Sequence, residues 1–412
     1  MMARPTSLRE FRRLGPPTVF LLLVLAGCSV FAQWPVLRHR MGMADSGMWF
    51  MDSYAVLAAS DAVQQGLDPY RDNPLDPFHR LHSYSGWWFA LGDLGLGRKD
   101  NFLVGGAWVA LFFAAAAAVL RPRTYLAAAG CALVALSPPV LLAVQRANND
   151  LVVFVLLAAG LLVLRTVTPA RLAIFAGLLL LATGLKFYPL VAGLVLVLLR
   201  PPRLMLTAGA LTLLAAGAAL ASVWPDLHQA SIPAPGGIYI FGSAVIFRDL
   251  GCAPPAALVA GAAGLALAAA GTWWRGWFIR LDGQRAVWSE QLAFVCGSAL
   301  LVGCFLAGIS YAYRLIFAVF LWPLLMRRAE GSGPRWPAYL LLAVLWLDGL
   351  YCLAANLLIG PMKLPELLRV QWCLRLLSQP LVWAGMAMLA GSLLELLRLA
   401  WRDTFRVRPR SQ

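Results

Sequence analysis

The chain has 412 residues, of which 61% are hydrophobic and 13% charged, against roughly 25% charged in an ordinary soluble domain. That composition excludes a water-soluble globular fold and indicates an all-α polytopic membrane protein. The net charge of +15 would suit nucleic acid in a soluble protein. Here, however, Lys and Arg fall in short clusters between apolar runs, where they mark topology, and nucleic acid is not an expected partner.

Apolar windows of about 20 residues, long enough to cross the hydrocarbon of a bilayer, can be placed in order with the basic clusters as inside markers. Residues 1–16 form a cytoplasmic N-terminus, and the first span covers about 17–34. Its Leu25-Ala26-Gly27-Cys28 looks like a lipoprotein cleavage box, but with so many spans behind it the segment is read as an uncleaved first helix. The polar stretch 36–100 then lies outside and carries an interfacial helix. Asp52 and Ser53 can cap that helix, residues 54–65 form its body, Gly66 ends it in a left-handed conformation and Pro69 prevents its resumption.

Spans follow at Asn101–Leu120, before the 145–150 turn, and back to Arg165. The run 172–199 is bounded by basic clusters on both sides and is too short for two full crossings. Two half-length helices meeting at Gly184 to Pro189 satisfy both constraints and place Lys186 in a cavity open to the outside. A span over 204–223, a Pro- and Gly-rich outer loop over 224–253 and a span over Pro254–Trp274 come next. The broken-hairpin device then recurs over 292–326, with its break at Ser310 to Arg314. Two last spans, from Ala338 and over 378–397, enclose an outer loop holding Lys363, Glu366 and Arg369 and lead to a basic cytoplasmic tail, 399–412. Of the 19 acids, only Glu10, Asp282, Glu290, Glu330, Glu395 and Asp403 fall inside, whereas most of the 34 basic residues do. The expectation is a single domain, 1–412, with about twelve crossings and both termini cytoplasmic in a cell (inner) membrane.

In this topology every break opens outward, so Asp52, the Arg146 to Asp150 turn, Lys186, Tyr188, Tyr313 and Arg314 share one face. A carboxylate opposite several cations suits an anionic lipid headgroup held while a hydroxyl loses its proton. Each residue also has a plainer reading. Asp52 can be a helix N-cap, with Asp45 the rival base, and Asp61 a solvated residue. Asp68, Asp72 and Asp76 fit turns beside Pro69, Pro74 and Pro77. Asn148, Asn149 and Asp150 can cap the next helix. His79 and His82 can bind substrate or simply sit in a solvated loop, and Trp87 and Trp88 suit an interfacial belt or a sugar platform. Lys186 and Arg314 are harder to dismiss, because charge at a break within a membrane hairpin is expensive. Asp348, in mid-span, can pair with a cation or be a neutral carboxylic acid. The seven cysteines show no CxxC or CxxH spacing, so neither a disulfide framework nor a zinc site follows.

The order of motifs, with Asp52 and Tyr54, then Gly66, Pro69 and Tyr70, then Gln145, Arg146, Asn148, Asn149 and Asp150, then Leu185 to Pro189, then Tyr313 and Arg314, resembles the glycosyltransferase 87 family over about 50–323. These are integral membrane enzymes of the GT-C class, related to polyprenyl-phosphate-mannose-dependent mannosyltransferases. The resemblance implies an extracytoplasmic active site that transfers a hexose from a polyprenyl-phosphate donor to a lipid or glycan acceptor, with inversion and without a cofactor. It makes Asp52 the base, with Lys186, Arg314 and Arg146 as candidate phosphate contacts. Tyr54, Asn148, Asn149, Asp150, Tyr188, Tyr313, His79 and His82 are candidate substrate contacts. Tyr54 stands two positions after Asp52 where the family often has three, which keeps Asp45 open as the base. From other classes, a transporter or flippase would use ionisable residues at mid-membrane such as Asp348, and a scaffold would tolerate loss of Asp52 and Lys186.

Overall fold

The computed structural model describes residues 15–43, 47–229, 238–281, 287–331, 333–358 and 364–405. The long helices, in chain order, are α1 (Pro16–Gln33), α2 (Met51–Gln64), α3 (Asn101–Leu120), α4 (Tyr125–Ala135), α5 (Pro138–Arg146), α6 (Asp150–Val163), α7 (Pro169–Lys186), α8 (Pro202–Ser222), α9 (Pro254–Trp274), α10 (Trp288–Leu306), α11 (Trp322–Glu330), α12 (Trp336–Leu358) and α13 (Leu364–Phe405).

Proline places many of these starts. Its fixed φ and missing N–H suit the first helical turn, and α1, α5, α7, α8, α9 and α11 all carry it there. The same chemistry makes the bends. Pro138 and Pro139 cannot continue the ladder of α4, so α4 and α5 meet at 57°. α7 stops at Lys186, and a 3-10 segment, Tyr188–Leu198, takes over. After α10 the chain makes a short strand, β2 (Ser310–Tyr311), and a second 3-10 segment, Ala312–Phe320. β2 pairs antiparallel with β1 (Ile240–Phe241), Ile240 opposite Tyr311 and Phe241 opposite Ser310, so the segment before α9 is laid across the second break. Only glycine fits beside this pairing, since a Cβ on Gly242 would stand 1.6 Å from the Gly308 carbonyl oxygen.

α10 is the axial helix, with 72% of its apolar window buried, whereas α8 and α1 bury only 11% and 17% of theirs and face outward. Phe154 of α6 stacks on Phe320 (centroids 4.3 Å apart) and meets Phe112 of α3 edge to face at 4.9 Å, joining three elements of the core.

Among the described residues, eight helices are long and apolar enough to cross a membrane, or nine if the bent α4–α5 pair is one span. The fold is therefore an all-α polytopic one, and the finer expectation of about twelve crossings is not reproduced by length and composition. Both breaks fall where expected, but their halves are unequal. α7 is a full-length helix of 18 residues followed by an 11-residue 3-10 segment, and α10, with 19 residues, is followed by a 9-residue one; α6, expected as a full span, has only 14 residues. The expected outer loop around Glu366 and Arg369 is helical instead: α13 starts at Leu364 and runs 42 residues, through Pro380.

Candidate functional site

The start of α2 is fixed before its chemistry is. Phe50 precedes the helix in the left-handed region (φ +62°), and its N–H donates to the Gln145 carbonyl at 2.9 Å, tying it to the end of α5. The Ser53 hydroxyl donates to Asn101 Oδ1 at 2.7 Å, and Asn101 Nδ2 donates to the Trp49 carbonyl. Val56 and Leu57 then pack with Trp88, Val104, Trp108, Ala147 and Leu185. The inner face of α2 is therefore buried against the rest of the chain, while its end at Val63 to Gln65 is exposed. Its end is as read from the sequence, with Gly66 left-handed at φ +77°.

Asp52 does not cap this helix. It lies inside the first turn, 4% exposed, and is gripped from α5. Arg146 Nε and Nη2 donate to Oδ2 and Oδ1, both at 2.8 Å, and Asn148 Nδ2 donates to Oδ2 at 2.7 Å. Arg80 approaches Oδ1 at 3.5 Å while bonding both oxygens of the buried Asp76 and donating to the Met51 carbonyl at 2.7 Å. Burial alone would raise the Asp52 pKa. The Arg146 charge and hydrogen bonds, with Asn148 and Arg80, outweigh burial and hold the carboxyl below its ordinary value.

Asn148 joins this ion pair to a second one. Ala147, left-handed at φ +42°, turns the chain so that Asn148 reaches Asp52 with its amide nitrogen. Asn148 Oδ1 accepts from the Asp150 N–H at 2.9 Å and from Lys186 Nζ at 3.3 Å. Lys186 is ion-paired with Asp150, which also accepts from the Tyr188 hydroxyl at 2.7 Å. Asn148 thus satisfies the N–H of Asp150, the first residue of α6, while bridging the two ion pairs; the residue flanking the helix, Asn149, makes no side-chain cap. Lys186, 6% exposed, is enclosed rather than lining an open cavity, its amine 5.2 Å from the Tyr84 ring and 5.8 Å from that of Tyr313. Burial first, then the Asp52 and Asp150 charges, raise the pKa of Tyr84 and keep it neutral.

The second break completes the group. Tyr311 and Tyr313 stack at 5.5 Å, with Arg146 5.8 Å from the Tyr311 ring. The Arg314 guanidinium lies 5.0 Å over Tyr188. Its Nε is buried without a hydrogen bond, and among the described residues Arg314 has no carboxylate in contact. Asn149 is fully buried with both side-chain polar atoms unbonded. Four cations, Arg80, Arg146, Lys186 and Arg314, thus face three carboxylates, Asp52, Asp76 and Asp150. The excess of one positive charge suits an anionic group.

Of the residues read from sequence, Asp52, Arg146, Asn148, Asn149, Asp150, Lys186, Tyr188, Tyr313 and Arg314 come from four separate stretches into or against this network. Tyr54 turns away, to the face of α2 where Arg98 pairs with Asp61. His79 is exposed, and Asp45 lies outside the described residues. His82 is a packing residue, 3% exposed, against Tyr70, Tyr84 and Phe89, with Nε2 3.2 Å from the Ser85 carbonyl. Sequence reading missed Arg80 and Tyr84, which look like ordinary polar loop residues. The loop holding them closes on the first break, where Trp88 Nε1 donates to the Leu185 carbonyl at 3.1 Å. Asp348 of α12 faces Ser378 and Arg375 of α13 and takes no part in the network.

Burial lowers the pKa of His82 from its ordinary 6.5 to about 4. The unfolded chain therefore binds the extra proton between these values. The stability of this loop rises with pH across that window and is lost as pH falls through it, by about 3 kcal/mol at most. Thermal unfolding should show a larger drop between pH 7 and pH 4.5 for the wild type than for His82→Phe, and equal drops would remove His82 from the account.

Fold and site together define a polytopic all-α membrane protein whose helix breaks carry one buried ionic network. No protein-family model, curated protein or solved structure matches the chain.

Proposed function

We propose that the chain is a membrane glycosyltransferase that moves a hexose from a polyprenyl-phosphate donor to a hydroxyl of a lipid or glycan acceptor, with inversion. One observation carries this reading. Residues from α2, the α5–α6 turn and both helix breaks, more than 250 positions apart at the extremes (Asp52 to Arg314), converge on a single carboxylate–cation network. A buried ion pair contributes little net stability, so such a gathering of charge calls for a chemical use.

In this reading Asp52 Oδ1 is the working oxygen. Oδ2 is saturated by Arg146 and Asn148, whereas Oδ1 has one strong partner and only the long contact to Arg80. The acceptor hydroxyl displaces Arg80 and donates to Oδ1. As its oxygen attacks the anomeric carbon, its proton passes to Asp52, the bond from that carbon to the phosphate oxygen breaks, and the electron pair leaves on polyprenyl phosphate. Arg314, with its unbonded Nε, is the first contact for that phosphate, and Lys186 supports it. Arg146 gives Nε and Nη2 to Asp52 and orients it, which leaves it a less direct candidate phosphate contact than Arg314. The expected extracytoplasmic site, inner membrane and orientation of the termini belong to this same proposal.

The reading is tested with radiolabelled polyprenyl-phosphate hexoses added to membranes containing the chain. Label moving into acceptor lipid or glycan above membranes without the chain supports it, and no movement with any such donor refutes it.

A further inference from the structure

A second charged site lies at the opposite end of α6 from Asn148. At about 1.5 Å per residue, the 14 residues of α6 hold the two roughly 21 Å apart. There the turn after α3, the residues following α6 and the start of α10 enclose a cavity of about 110 Å³, several times what one water needs. Arg121, Arg123 and Arg165 line it, together with Ser289 and Glu290 at the first turn of α10. Among the described residues Glu290 is the only carboxylate in the lining, and it is already spent, held through both oxygens by Arg327 at 2.5 Å.

Three guanidinium charges therefore share one cavity with no free carboxylate among the described residues that line it. Arg121 Nε and Arg165 Nη2 both donate to the Ala118 carbonyl, at 3.0 and 3.2 Å, which draws the two like charges together. Arg165 Nε is buried there without a hydrogen bond. Basic residues that only mark topology need to reach headgroups, and nothing requires them to converge on a cavity from separate segments. The first turn of α10 adds the positive end of a helix dipole, and Leu161 and Leu162 make one wall apolar.

We propose that this cavity binds a phosphoryl group, supplied by an anionic phospholipid headgroup or by free phosphate. Planar guanidinium groups recognise phosphate oxygens in pairs, and basic pockets between membrane helices take such headgroups. The site stands independently of the glycosyltransferase reading.

The test is thermal unfolding of the full chain in detergent with three probes, inorganic phosphate, short-chain phosphatidate and short-chain phosphatidylcholine. The wild type is compared with Arg121→Gly, Arg165→Gln and, as a control elsewhere on the surface, Arg275→Gln. Arg121 sits in the left-handed region at φ +42°, which glycine adopts readily, so Arg121→Gly retains the turn. The expected result is saturable stabilisation of wild type and Arg275→Gln, with half-saturation about tenfold weaker in each of the other two variants. Stabilisation by phosphatidate alone identifies a lipid headgroup, and stabilisation by inorganic phosphate as well identifies free phosphate. No stabilisation of wild type by either anion, or equal response in all variants, overturns the proposal.

Discussion

Asp52→Asn is expected to lower hexose transfer by about 10²-fold or more, the scale of a missing general base. The amide has one acceptor oxygen where the carboxylate has two, and its nitrogen faces donors, either Arg146 or Asn148. The variant therefore also leaves the Arg146 cation uncompensated, which costs about 3–5 kcal/mol when a buried pair is broken. Rate must accordingly be measured per folded molecule. Asp52→Glu separates the two effects. It keeps the charge for Arg146 and is expected to recover much of the stability, yet still to lose rate, because displacing a catalytic group by about 1 Å can cost about 10²-fold. The pH profile gives a second check. Because the folded-state pKa of Asp52 is held below 3.8, its ionised form is complete throughout the neutral range. Transfer should therefore show no acid limb from this group down to about pH 5. A wild-type rate in Asp52→Asn would remove Asp52 from the chemistry.

Lys186→Met has the second largest expected effect. Asp150 is fully buried, and without Lys186 it keeps only the Tyr188 hydroxyl and one unbonded oxygen. Breaking the pair is expected to destabilise the protein by about 3–5 kcal/mol. The double variant Lys186→Met/Asp150→Leu removes both charges and should recover much of that loss, since apolar replacement of a buried pair is often neutral. Transfer should stay absent in both variants, as the phosphate loses one of its cations. Chemical unfolding in detergent beside the transfer assay decides the matter. A stable and active double variant would make the pair structural only.

The parts of this molecule legible in its sequence are those where membrane physics leaves few options. Lys186 and Arg314 stand out because a charge amid apolar residues is costly, and basic clusters on both sides of runs too short for two crossings locate both breaks. The span count was less legible, because an 11-residue 3-10 segment and a half-length α-helix have the same composition. α13 hid its length for a related reason: Glu366 and Arg369 look like a loop, yet both have good helix propensity. At Asp52, a carboxylate at the start of a helix reads equally as a cap or as a buried acid, and only Arg146, 94 positions away, settles it as the latter. Arg80 and Tyr84 carried no signal, since polar loop residues are the common case. Their roles depend on the docking of Trp88 against Leu185, a contact set by tertiary packing.

The most direct measurement uses the purified chain in proteoliposomes with a polyprenyl-phosphate hexose and an acceptor lipid, following the chemical fate of the donor. Hexose is expected to leave the donor in step with the appearance of free polyprenyl phosphate, and Asp52→Asn to stop both together. Intact donor moving from one leaflet to the other, with no polyprenyl phosphate released, would contradict it and make the chain a transporter.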